Sequence, residues 1–245
     1  MPSQLFTPIK LRALTLANRI IVSPMCQYSA NGGSLTDWHL MHLGQFAVSG
    51  SALVIVEATG VEAAGRISPG CPSLCSDDNE AAMKRVVDFY RDYDNARIGI
   101  QLAHAGRKAS TDMPWRGGAP LAKDTPQGWE TFAPSAIPYN DGWPTPTALD
   151  GEGLERIKHA FVDAAKRAVR VGFDLIELHA AHGYLMHQFL SPLSNQRDDA
   201  YGGSLDNRMR FPLEVFAAVR SVCPEDYPVG IRVSATDWVE GGWDL

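Results

Sequence analysis

A chain of 245 residues that is 45% hydrophobic and 20% charged has enough apolar content for a packed core, and it lies outside the compositions of disordered, collagen-like and disulfide-rich chains. As one domain, residues 1–245 would bury roughly 70% of their unfolded surface and need neither staple nor metal. A formal charge of −6 with dispersed Lys and Arg excludes the basic footprint of a nucleic-acid binder; the lack of an 18-residue apolar run and of a secretory leader points to a cytoplasmic protein away from membranes.

In chain order, the first short β-branched and apolar run is 19–23. A helical pattern over 38–49, ended by Gly50, leads into a second run at 52–57. A helix over 78–93 leads into a third at 97–102. The rhythm breaks at 109–149, which carries seven prolines and three tryptophans and reads as a long loop insertion capping a strand end. A helix over 153–171 comes next, ended by Gly172, with Ile157, Phe161, Ala164, Ala165 and Ala168 at helical spacing. The fourth and fifth runs are 175–179 and 229–234. Continuous apolar runs suit strands buried on both faces of a parallel sheet, so the fold class is α/β, doubly wound or barrel. Of the four cysteines, Cys71 and Cys75 lack a second Cys or His pair to complete a zinc site, and free thiols are expected.

Chemistry concentrates where these strands end. The first runs into Ser23-Pro-Met-Cys-Gln-Tyr28, the second into Glu57-Ala-Thr59, the third into Gln101-Leu-Ala-His104, the fourth into His179-Ala-Ala-His182-Gly-Tyr184, and the fifth carries Arg232. Carboxyl ends of parallel strands converge on one crevice, the usual seat of α/β active sites. His179 and His182 admit three readings: metal ligands, satisfied core histidines, or paired donors to a ligand oxygen. Tyr184 is a wall residue or a general acid. Cys26 alone reads as a small buried hydrophobe. Arg232 within an apolar strand requires an anionic or carbonyl-bearing ligand, or a carboxylate such as Glu57.

Taken together, Ser23 to Tyr28, Val56 to Thr59, Gln101 to Lys108, His179 to Leu185 and Asp199-Ala-Tyr-Gly-Gly-Ser-Leu-Asp-Asn-Arg208 resemble the Old Yellow Enzyme family of FMN-dependent ene-reductases, in its thermophilic-like class. The resemblance implies a (β/α)8 TIM barrel with FMN at the carboxyl face. It implies that Ser23, Pro24, Met25, Cys26, Ala58, Gln101 and Arg232 contact the flavin, Cys26 tuning its potential. It further implies NADPH as hydride donor and activated alkenes such as α,β-unsaturated carbonyls as acceptors. Their carbonyl would be held by His179 and His182, Tyr184 would be the proton donor, and Tyr28 would line the substrate pocket. Members of that class commonly form dimers or tetramers, which leaves a homo-oligomer open here.

Only five of eight strands can be placed, so three βα units, roughly 120 residues, are expected to be missing. The expectation is an enzyme truncated after its fifth strand. The rival readings are a half-barrel serving as a structural or interaction fragment and a metal-dependent lyase or hydrolase using His179 and His182.

Overall fold

The computed structural model describes residues 3–93 and 95–244. It opens on an antiparallel hairpin of β1 (Ile9–Leu11) and β2 (Leu14–Leu16). Next come β3 (Ile21–Val22), α1 (Asp37–Ala47), β4 (Leu53–Gly60), α2 (Asp77–Tyr93) and β5 (Arg97–Ala103). Within the Pro-rich segment lie only a one-turn helix at Pro114–Arg116 and the two-residue strands β6 (Phe132–Ala133) and β7 (Thr147–Ala148). The chain continues through α3 (Gly151–Val171), β8 (Leu175–Ala180), α4 (Leu185–Leu190), α5 (Leu205–Val222) and β9 (Val229–Val233).

Five strands form one all-parallel sheet in the order β3-β4-β5-β8-β9. Its two faces differ. Val54, Val56, Ile98, Ile100, Leu102, Ile176 and Leu178 pack in one apolar cluster with Leu43 of α1, Met83 and Val87 of α2, Phe161 and Ala165 of α3, and Val215 and Val219 of α5. Helices therefore cover a single face, the arrangement of a barrel wall rather than of a doubly wound sheet. Fully buried Phe161 alone contributes about 2–3 kcal/mol of apolar burial to that layer.

The opposite face carries Leu53, Ile55 and Leu175, packed with Leu16 of the hairpin, with Ile9, Leu11 and Leu14 against them. The hairpin thus closes the amino end of the inner face, tied there by Arg12 Nη1 to Glu225 O (2.8 Å) and Ala13 N to Asp226 O (3.0 Å). Higher on the same face, Gln101 pairs in register with Glu177 and His179 with Arg232. Residues paired across parallel strands share a face, so these four side chains belong to one polar layer above an apolar floor.

The strand runs and three helical patterns agree with the sequence reading to within a few residues, except that the first strand is confined to Ile21–Val22 and β4 runs on to Gly60 through a bulge between Val56 and Thr59. The hairpin, α4 and α5 are additional. α3 is capped by Asp150, whose Oδ1 accepts from Gly153 N at 2.8 Å, and ends on Gly172 at φ 96°, where a side chain would be strained.

Candidate active site

The strand-end residues gather at the carboxyl edge of the sheet. β8 feeds a tight turn, His182-Gly183-Tyr184, in which His182 adopts φ 58°. A non-glycine residue in the left-handed region is held there by its surroundings. The bonds that hold it are identifiable. His182 N donates to Ser234 Oγ (2.9 Å), Lys108 Nζ to His182 O (2.8 Å), Gly183 N to His187 Nδ1 (2.8 Å) and Gln188 Nε2 to Gly183 O (2.7 Å). With Nδ1 accepting, His187 carries its proton on Nε2, which donates to Asp237 Oδ1 at 2.9 Å. Asp237 Oδ2 in turn accepts from Ser191 Oγ (2.6 Å) and Trp243 N (2.8 Å).

This scaffold brings three rings together. His179 meets His182 edge-on at 5.1 Å and Tyr184 at 4.8 Å between centroids. His179 Nδ1 accepts from Ala181 N (3.2 Å), which places the ring proton on Nε2. Burial first, then the charges of His182, Arg232 and Lys108, pushes its pKa down to about 3, so it is a neutral N–H donor throughout the physiological range. Burial likewise lowers His182. The Tyr184 phenol is driven well above its ordinary value by burial, and its hydroxyl makes no hydrogen bond to the described residues. Lys108 Nζ stands 4.9 Å over the rings of both Tyr184 and Tyr139.

On the other side of the crevice, Met25 is half exposed and Tyr28, at φ 52°, meets Trp115 edge-on at 5.6 Å. Burial pushes the Tyr28 phenol up to about 12. A hydrogen bond to the Cys71 thiol, then burial, drives Cys26 far above the ordinary thiol range and keeps it protonated. The backbone under Cys26 is fixed by Gln27 N donating to buried Glu57 Oε2 (2.9 Å). Glu57 Oε1 lies 3.3 Å from His39 Nε2, which is buried without an aligned hydrogen bond. The alternative that Arg232 pairs with Glu57 is therefore overturned: Glu57 is turned to the Gln27 amide and His39, and Arg232 has no carboxylate partner among the described residues.

The donor set fits a flavin. Arg232 is a partly buried, unpaired cation in register beside His179, and Gln101, 2% exposed, keeps its amide oxygen free while Nε2 donates to Glu177 Oε1 (2.7 Å). A cation and an amide on one layer match the electron-rich pyrimidine edge of an isoalloxazine. Ala58 is buried beside them at the β4 bulge. Against the metal reading, no group of three His, Cys, Asp or Glu suited to a metal ion occurs among the described residues. No motif announces the supporting shell of His187 with Asp237 and His39 with Glu57; the only trace of the first in the sequence is a third histidine five residues after His182.

The pattern of the NADH:flavin oxidoreductase / NADH oxidase family matches residues 4–245. A protein named NADH:flavin oxidoreductase from Gibberella zeae is 49% identical over 241 residues, 97% of this chain and 58% of that one. An NADPH dehydrogenase from Geobacillus thermodenitrificans is 45% identical over 244 residues, 99% of this chain and 66% of that one. The crystal structure of Old Yellow Enzyme from Pichia sp. superposes with a TM-score of 0.86 at 30% identity, covering 99% of this chain and 62% of that one. The five-stranded sheet is thus part of a (β/α)8 barrel, and the chain spans about three-fifths to two-thirds of the length of these relatives.

Proposed function

The chain belongs to the NADH:flavin oxidoreductase / NADH oxidase family, and from that premise we propose that it serves an FMN-dependent, NAD(P)H-consuming reduction of activated C=C bonds in α,β-unsaturated carbonyl compounds. Ser23, Pro24, Met25, Cys26, Ala58, Gln101 and Arg232 would hold the flavin. When bound, FMN would supply two-electron hydride chemistry between NAD(P)H and the alkene, the two substrates using one site in turn. His179 and His182 donate from neutral ring N–H groups to the acceptor's carbonyl oxygen, stabilising the negative charge that develops there and making the β-carbon electrophilic. Tyr184, kept protonated by burial, gives its proton to the α-carbon. Tyr28 lines the acceptor pocket, and the 109–149 segment, which reaches it through Trp115, caps the crevice and limits water.

The observation that carries this reading is the His179–His182–Tyr184 cluster: two neutral imidazoles and one half-buried phenol, with the His179 tautomer set by its own backbone. Stopped-flow kinetics tests it. Tyr184→Phe should slow alkene reduction by about 10²–10⁴-fold while leaving flavin reduction by NADPH nearly unchanged. Equal losses in both half-reactions would remove Tyr184 as the acid. The visible spectrum tests the premise beneath it: flavin bands support a reductase, a colourless chain that cannot be reconstituted favours a structural role, and stoichiometric zinc favours metal chemistry.

A further inference from the structure

Two of the four cysteines meet at the end of β4. The 24–30 and 66–74 segments both border that strand end: Gln27 N donates to Glu57 Oε2 (2.9 Å), Gly60 N to Pro72 O (2.9 Å) and Ala30 N to Gly70 O (2.8 Å). The two backbones run so close that a Cβ on Gly70 would stand 3.2 Å from Tyr28 Cα. This close approach brings Cys26 and Cys71 together, the Cys26 thiol donating to Cys71 Sγ. A second donor serves the same sulfur. Ser68 Oγ lies 3.6 Å from Cys71 Sγ, and because that oxygen accepts from Gly70 N (3.2 Å), its own proton is free to point at the thiol. The two sulfurs differ in access: Cys71 is fully buried, whereas Cys26 is partly exposed at the crevice wall. Of the remaining cysteines, Cys75 is exposed with its sulfur 3.7 Å from Asn79 Oδ1, and Cys223 caps the far end of α5.

We propose that Cys26 and Cys71 are a redox-active pair that hydrogen peroxide oxidises to a reversible disulfide, clamping the 24–30 segment to the 66–74 segment at the crevice wall. Sulfurs already in hydrogen-bond contact need only small side-chain rotations to reach the bond length of about 2.05 Å. The accessible Cys26 sulfur attacks one peroxide oxygen, so that an S–O bond forms, the O–O bond breaks and hydroxide leaves. The Cys26 proton passes to Cys71, the member of the pair whose thiolate is held by the Cys26 S–H and the Ser68 hydroxyl. Cys71 then attacks the Cys26 sulfenic sulfur: the S–S bond forms, the S–O bond breaks, and the Cys71 proton leaves with the hydroxyl as water. Each sulfur gives up one electron and peroxide takes up two. Cys71 thereby stops Cys26 at the reversible level of oxidation. The bond also withdraws the Cys26 S–H from the flavin contact given to it above, a consequence that rests on the proposed function, whereas the bond itself does not.

Non-reducing peptide mapping of the full chain after exposure to excess hydrogen peroxide tests the pair. Trypsin leaves Cys26 on fragment 20–66 and both Cys71 and Cys75 on fragment 67–84, so Cys75→Ser separates the two possible partners. That variant keeps three of the four thiols; its titratable thiols should fall from three to one, with 20–66 and 67–84 recovered as one cross-linked species that dithiothreitol parts. Cys71→Ser should give no cross-link and carry Cys26 on to the sulfinic acid. Three thiols still free in Cys75→Ser, a cross-link that needs Cys75, or Cys26 over-oxidised while Cys71 stays free would each overturn the proposal. Should Cys71→Ser fail to fold by circular dichroism, the Cys75→Ser map decides alone. A cross-link in a colourless chain that cannot be reconstituted with flavin leaves the pair standing and removes the reductase reading; a yellow, active chain whose thiols all resist peroxide does the reverse.

Discussion

Replacing Asp237 with Ala removes one carboxylate and strands three donors at once: His187 Nε2–H, the Ser191 hydroxyl and the Trp243 backbone N–H. The His187 and Asp237 side chains are only 8% and 11% exposed, so water replaces the lost acceptor poorly. A hydrogen bond to a charged group contributes about 1.5–3 kcal/mol, and an orphaned buried donor costs a similar amount. Allowing the Ser191 hydroxyl to rotate to a new partner, the loss is about 3–5 kcal/mol. For a chain of this length each kcal/mol moves the melting temperature by about 2–4 °C, so Asp237→Ala should melt about 6–20 °C lower by scanning calorimetry. Asp237→Asn keeps a carbonyl oxygen toward His187 but turns an NH2 toward the Trp243 N–H, and should fall about midway. Because His187 holds Gly183, the same change should loosen the His182–Tyr184 turn. A melting temperature within about 2 °C of the parent for the Ala variant, or identical losses for Ala and Asn, would refute this accounting.

Acid should destabilise the chain through His179: a pKa pushed down to about 3 from 6.5 means that the unfolded chain binds a proton the folded one refuses. That stability is present above about pH 6.5 and is lost as pH falls toward 3, by about 3 kcal/mol between pH 7 and pH 4; His179→Asn should flatten urea-denaturation curves by that amount over this interval, and parallel pH profiles for the two proteins would exclude it. Gly70→Ala would set a Cβ 2.5 Å from Tyr28 O, a backbone atom that cannot yield cheaply, and should cost about 1–3 kcal/mol in denaturant midpoint. Asp150→Ala, which deletes the α3 cap, should cost about 1 kcal/mol; an unchanged midpoint would mean that water replaces the cap.

The strands and three of the helices were legible because their signals are local: apolar runs bounded by glycine, and a face repeating every third or fourth residue. The β1–β2 hairpin was not, since its strands are three residues long and its turn uses Arg12 at φ 52°, where a glycine or asparagine would have announced it. Arg12 tolerates that backbone while its guanidinium anchors on Glu225 O, 213 residues away. α5 was hidden by Pro212, which interrupts the pattern although Phe211, Val215 and Val219 still fall on one buried face. In the site, strand ends located His179, His182, Tyr184, Gln101 and Arg232 together, because a parallel sheet brings its carboxyl-terminal strand ends, and the loops leaving them, to one edge. The shell behind them was illegible for the same reason in reverse: His187 with Asp237, and His39 with Glu57, are partners through space, with no spacing rule joining them.

The hairpin also bears on how the chain is made. It leaves the ribosome before every strand of the sheet it packs on, with Ile9, Leu11, Leu14 and Leu16 along its ribbon, yet its ties to Glu225 and Asp226 exist only once more than two hundred further residues have been added. At about 5–20 residues per second that is a wait of roughly 10–40 s. During it a short apolar ribbon has only the growing β4 and β8 to lean on, which makes residues 9–16 the natural client of a nascent-chain chaperone.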